Sequence, residues 1–259
     1  MTKRARGHEF PEPDEHPESD IDWDEVVDII CVGTDPGPVA QAVSGVQCGR
    51  QVLALARPQS WDPETDAYIA EMTADLSPAE STSPLQVTRA RPVIAEPARG
   101  RLIDTFVGAH LHDWAAQCRS TSFGVLYTDV FGVDTTRMHT DDGRQIDVVL
   151  LGTYPSDADR SGRAVSEWLS AQARECRVHP DPDVSLRRLI TEFGRVAGAE
   201  LATDSGPLLV RALDGVALPV ASSDADWAIP SELGDADFDI AIVGLPAARF
   251  ARVELLITD

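Results

Sequence analysis

Val26–Arg57 reads VVDIICVGTDPGPVAQAVSGVQCGRQVLALAR, and its patterning decides the fold. Val26 to Val32 is a nearly continuous apolar run ending at Gly33, the composition of a strand buried on both faces of a parallel sheet. Pro36 to Cys48 follows as a helix, with Val39, Ala40, Val43 and Val46 forming a stripe of small side chains that lets it sit close to a sheet. Gly49 stops the helix, and Val52-Leu53-Ala54-Leu55 supplies a second strand. Strand, helix and parallel strand make a right-handed crossover unit.

This order of elements resembles the N-terminal FAD-binding unit of two-dinucleotide-binding-domain flavoproteins, which include oxidoreductases of the fumarate reductase and ketosteroid dehydrogenase type. The resemblance is carried by Gly33, Gly49 and the 23-residue spacing from Gly33 to Ala56. It implies an α/β, Rossmann-like FAD/NAD(P)-binding-type domain, a parallel sheet with antiparallel β-hairpin additions. It also implies a cofactor site at Gly33, Asp35, Gly37, Pro38 and Ala56. In the family the turn reads G-x-G-x-x-G, with an acidic residue about 20 positions on. Here the three glycine positions hold Gly33, Asp35 and Pro38, and the acidic position holds Ala56.

Each replacement has a physical consequence. Asp35 adds bulk and negative charge where the helix dipole would receive a pyrophosphate, removing roughly 1 kcal/mol of favourable interaction. Its carboxylate is expected to cap the helix instead. Pro38 lacks an N–H, although a proline in the first turn leaves the helix intact. Ala56 cannot accept the ribose hydrogen bonds that a carboxylate takes. The resemblance names FAD as the cofactor if one is held, and these replacements predict that none is.

The remainder of the chain adds architecture more than chemistry. Residues 1–24 combine Pro11, Pro13 and Pro17 with an acidic run and little apolar content, predicting a disordered acidic tail ahead of a single domain over 25–259. Residues 58–98 read as a long loop or lid with a short helical pattern around Ala67–Met72. Helical spacing predicts helices over 101–118, Ser156–Cys176 and Val184–Leu201. The second has Val165, Trp168, Leu169 and Ala173 on one face; the third has Leu186, Leu189, Ile190, Phe193 and Val196. Strands are expected at Ser122–Phe131, Ile146–Tyr154, Phe238–Val243 and Val253–Ile257. Asp214-Gly215 is expected to turn a hairpin between Leu208–Leu213 and Val216–Val220, and His139–Gly143 another turn between strands. Gly198-Ala199-Glu200-Leu201 falls where the resembled flavoproteins wrap the adenosine half of the cofactor.

Composition bounds the function. A net charge of −21 repels nucleic acid and anionic membrane surfaces. No apolar run reaches membrane-spanning length, and the N-terminus lacks the apolar stretch of a signal peptide, so a cytoplasmic protein is expected. Cys31, Cys48, Cys118 and Cys176 are widely spaced and read as buried thiols, with no metal site. A G-x-S-x-G elbow, a P-loop and an H-E-x-x-H helix are all missing. Asp141/Asp142, Asp157/Asp159, Asp224/Asp226 and Asp235/Asp237 fall in polar turns and read as solvated carboxylates. His110 reads as a hydrogen-bonded core histidine, while Tyr127 and Arg137 are conceivable ligand contacts. No catalytic residue is assigned.

Three functional readings follow. One is a non-catalytic or cofactor-poor relative of FAD-dependent oxidoreductases, acting as an accessory or partner-binding protein. A second is an oxidoreductase using the same crevice for an altered cofactor or a small hydrophobic ligand, with 58–98 as its lid. The third is an acidic structural or interaction protein.

Overall fold

The computed structural model describes residues 21–56, 60–76, 85–93, 107–132, 134–155, 157–220, 229 and 238–258. The expected tail over 1–20, the helical stretch 101–106, and the pairs Asp224/Asp226 and Asp235/Asp237 lie outside them. Residues 21–24, assigned to the tail by composition, are tied to the sheet: the Asp24 amide donates to the Leu209 carbonyl at 2.9 Å, and its carboxylate accepts from the Leu209 amide at 2.8 Å.

The strands are β1 (Glu25–Val27), β2 (Ile29–Val32), β3 (Val52–Ala56), β4 (Gln86–Pro92), β5 (Gly124–Tyr127), β6 (Thr136–Thr140), β7 (Gln145–Tyr154), β8 (Asp181–Glu192), β9 (Arg195–Thr203), β10 (Gly206–Ala212), β11 (Val216–Pro219), β12 (Phe238–Gly244) and β13 (Phe250–Thr258). The helices are α1 (Pro36–Gln47), α2 (Pro63–Thr73), α3 (Val107–Arg119) and α4 (Gly162–Glu175). The strands of the described residues join one 13-stranded sheet in the order β1-β10-β9-β8-β3-β2-β11-β5-β13-β12-β7-β6-β4. β13 also pairs with β4, which closes β13, β12, β7, β6 and β4 into a ring.

The crossover unit is present. β2 pairs in parallel with β3 on one side and β11 on the other, and every one of its residues is buried. Its side chains alternate between two cores. Ile29 and Cys31 face Ala40 and Val43 of α1 and Val165 and Leu169 of α4; Ile30 and Val32 share a cluster with Trp114 and Cys118 of α3. The helix ends as Gly49 predicts: Gly49 takes φ +76°, its amide donates to Val46, and the Arg50 amide reaches back to Gly45 at 2.9 Å. That pair of bonds is a Schellman closure.

Beyond this unit the sheet departs from the expected parallel Rossmann-like arrangement, because antiparallel pairings predominate. The run Val26–Val32 is two strands broken at Asp28, whose carboxylate accepts from the Gln51 amide at 2.7 Å. The hairpin expected around Asp214-Gly215 does not form. β10 runs parallel to β1 and β11 parallel to β2, with the two breaks side by side and the Asp214 amide donating to the Asp28 carbonyl at 2.7 Å. The helix expected over Val184–Leu201 is instead the β8–β9 hairpin. Residues 58–98, read as a loop or lid, contain α2 and the paired strand β4. The turn at 140–143 joins β6 to β7, while β5 pairs with β11 and β13.

Candidate functional site

Gly33, Asp35, Gly37 and Pro38 converge where β2 hands over to α1, the place at which a dinucleotide-binding unit presents amide groups to a phosphate. Gly33 has φ +107°, open to glycine and strained for other residues, and its amide donates to the Leu55 carbonyl at 2.8 Å. A Cβ on Gly33 would lie 3.3 Å from an Asp35 carboxylate oxygen and 3.5 Å from the Pro219 ring. That side of the turn is filled by the protein itself.

Asp35 occupies the N-cap position by backbone conformation, but its carboxylate makes no capping hydrogen bond, contrary to expectation. The amides that follow decide what the helix end binds. Pro36 and Pro38 have no N–H, the Gly37 amide donates to the Ser122 carbonyl at 3.2 Å, and the Val39 amide makes the helix bond to Asp35. The positive end of the helix dipole thus meets the carbonyl of a neighbouring segment. The approach is close: a Cβ on Gly37 would sit 2.4 Å from the Gly124 carbonyl oxygen. Segment 121–124 is itself fixed, since Thr121, Ser122 and Phe123 are buried and the Phe123 carbonyl accepts from the Val253 amide at 3.0 Å.

Ala56 ends β3 and presents only a methyl group, with Ser185 of β8 as its register partner. The five positions named by the fingerprint therefore do not fit a pyrophosphate and ribose. Pro36 and Pro38 have no N–H, the Gly37 and Val39 amides are bonded, a carboxylate stands at the turn, and Ala56 carries no side-chain acceptor.

Other residues singled out by sequence are placed as follows. Tyr127 is buried, which pushes its phenol well above the ordinary range, and it donates to Gln41 Oε1 at 2.5 Å. It is a hydrogen-bond donor within the core. Arg137 is bound bidentately to Asp147 at 2.8 and 3.1 Å, an internal use of its fork. His110 is exposed on α3, correcting its expected core position. Cys31 and Cys118 are buried, and burial pushes both thiols up; Cys48 is exposed and Cys176 half-buried, so only two of the four match the expectation of core thiols. Glu200 of the Gly198–Leu201 segment lies in β9, buried, held by Arg187 and Arg188 at 2.5 and 2.7 Å. No group of side chains at metal-ligand spacing occurs among the described residues.

Two concavities flank these elements. One, beside α1 and lined by Ile29, Gln41, Ser44, Tyr127, Phe131 and Val149, has a volume of about 40 Å³. That is far below the roughly 300 Å³ at which small-molecule pockets begin, so a sterol-sized ligand does not fit it. The other, of about 410 Å³, lies over β13 and β4 and was not foreseen from sequence. Arg252 and Glu254 line it, 5% and 1% exposed, paired at 2.6 Å. The guanidinium stacks 4.7 Å from the Trp114 ring centre, whose Nε1 donates to the Phe250 carbonyl at 2.8 Å. Thr88 donates its hydroxyl to the second Glu254 oxygen. The available signal was an Arg and a Glu two apart in the otherwise uncharged strand FARVELLIT, which alternation places on one face.

Comparison with known proteins adds distant likenesses. No protein-family model and no curated protein matches the sequence. Among solved structures, the chain is similar to a 3-ketosteroid-delta4-(5alpha)-dehydrogenase from Rhodococcus jostii RHA1 in complex with 4-androstene-3,17-dione. Identity is 17%, covering 76% of this chain and 46% of that one, with a TM-score of 0.33. It is also similar to a geranylgeranyl bacteriochlorophyll reductase-like protein from Thermoplasma acidophilum, at 14% identity over 88% of this chain and 56% of the other, with a TM-score of 0.30. The chain spans about half the length of each. These likenesses assign no residue a role. No helix among the described residues is long and apolar enough to cross a membrane.

Proposed function

We propose that this chain is a cofactor-poor, non-catalytic relative of FAD-dependent oxidoreductases that acts as an accessory or partner-binding protein. One observation carries the reading: the Gly37 amide, flanked by Pro36 and Pro38, is spent on the Ser122 carbonyl, which leaves the first turn of α1 without an N–H for a phosphate. Asp35 at the turn and Ala56 at the ribose position act in the same direction. A net charge of −21 favours a basic face on the partner.

The test is reconstitution. Purified chain incubated with excess FAD and then desalted is expected to emerge without flavin absorbance, and FAD is expected to leave the melting temperature unchanged. Restoring Asp35→Gly and Pro38→Gly together is expected to leave that result unaltered, because the Ser122 carbonyl still occupies the helix end. Flavin retained in near-stoichiometric amount by the wild-type chain would refute the proposal.

A further inference from the structure

The cleft over β13 contains an arginine whose donors are only partly used. Two contacts fix its guanidinium, the Trp114 ring on one face and Glu254 on the Nε edge, and the Thr88 hydroxyl anchors Glu254 in turn. The Nη groups have no hydrogen-bond partner among the described residues, and Arg252 lines the cleft. Two coplanar N–H groups on one edge of a guanidinium match the two oxygens of a carboxylate. The volume of about 410 Å³ falls within the range of small-molecule pockets. Ile146 and Val243 supply apolar wall for a short carbon skeleton, with Gln117 on α3 bordering it.

Charge narrows the class further. Arg89, Arg144 and Arg252 in the lining are balanced by Asp141, Asp142 and Glu254. A lining with no net charge gives a dianion no long-range attraction, whereas one fixed guanidinium edge suits a single carboxylate.

We propose that this cleft binds a small organic monocarboxylate, seated on the Nη edge of Arg252. The site shares no lining residue with the first turn of α1, so its test is independent of the flavin result.

Calorimetric titration of the full chain with benzoate, inorganic phosphate and benzyl alcohol tests it. Benzoate is expected to bind saturably at one site, with phosphate and benzyl alcohol weaker by about tenfold or more. Arg252→Lys keeps the charge but loses the fork, and is expected to weaken benzoate by about tenfold or more. Gln117→Trp, which leaves the ion pair intact and fills the cleft from α3, is expected to abolish binding and settles the matter if Arg252→Lys does not fold. The proposal is overturned if benzoate gives no saturable binding, if phosphate or benzyl alcohol binds equally well, or if Gln117→Trp binds benzoate as the wild type does.

Discussion

Gly37 carries more of the structure than its place in the first turn of α1 suggests. Within a helix, alanine is better than glycine by up to about 1 kcal/mol, so a redesign by helix propensity alone would favour Gly37→Ala in the first turn of α1. The backbone of Gly124, 2.4 Å from the site of the new methyl group, opposes that gain. Segment 121–124 is pinned by buried Phe123 and cannot withdraw without disturbing β13. Gly37→Ala is expected to lower stability by about 1–3 kcal/mol in denaturant melts; an unchanged or raised midpoint would show that the crossing is loose. The residue was visible in the sequence, but its partner was not, because Gly37 and Ser122 are far apart along the chain.

At the scale of elements, the β8–β9 hairpin shows how a helical reading arose from a pair of strands. Leu186 and Leu189 are both buried although three positions apart, a spacing that mimics a helix. Register shifts between Leu186 and Arg188, and again between Ile190 and Thr191, insert the extra residues that break strict alternation. The turn itself was legible in principle: Phe193 and Gly194 both have positive φ, +49° and +77°, as a two-residue type I′ connection requires. Phe193 is 70% exposed and strained, so little packing compensates for its backbone. Phe193→Asn, creating the preferred Asn-Gly turn, is expected to stabilise the protein by about 1 kcal/mol in thermal or denaturant melts. A lower midpoint would show that the exposed ring has a packing role.

Across the whole molecule, acidic groups from separate elements gather around Arg50, which pairs with Asp134 at 3.0 Å and Asp214 at 3.5 Å. Burial, followed by Asp28, Asp134 and Asp129, raises the Asp214 carboxyl above its ordinary value, and Arg50 offsets only part of this. A raised folded-state value means that the native chain holds this proton where the unfolded chain has released it. The resulting stabilisation is complete below the unfolded value and is lost as pH rises through the folded one. The stability of Asp214→Asn relative to wild type is therefore expected to increase between pH ~4 and ~7, read from melts across that range. A flat or falling difference would exclude Asp214 as a source of pH dependence.

The sequence alone determined the β2-α1-β3 unit. It is local: a run of apolar residues, a helical stripe and a glycine stop specify its structure within about 30 residues. Strand partnership was decided only by tertiary structure. β1 pairs with β10, β11 with β2 and β13 with β4, across stretches whose periodicity carries no information about which edge will meet which. The same limit applied to both candidate sites. The Ser122 carbonyl reaches α1, and Trp114 and Thr88 reach Arg252 and Glu254, only because the sheet brings distant segments together, and hydrogen bonds and ring contacts act over a few ångströms of space, whatever the separation in sequence.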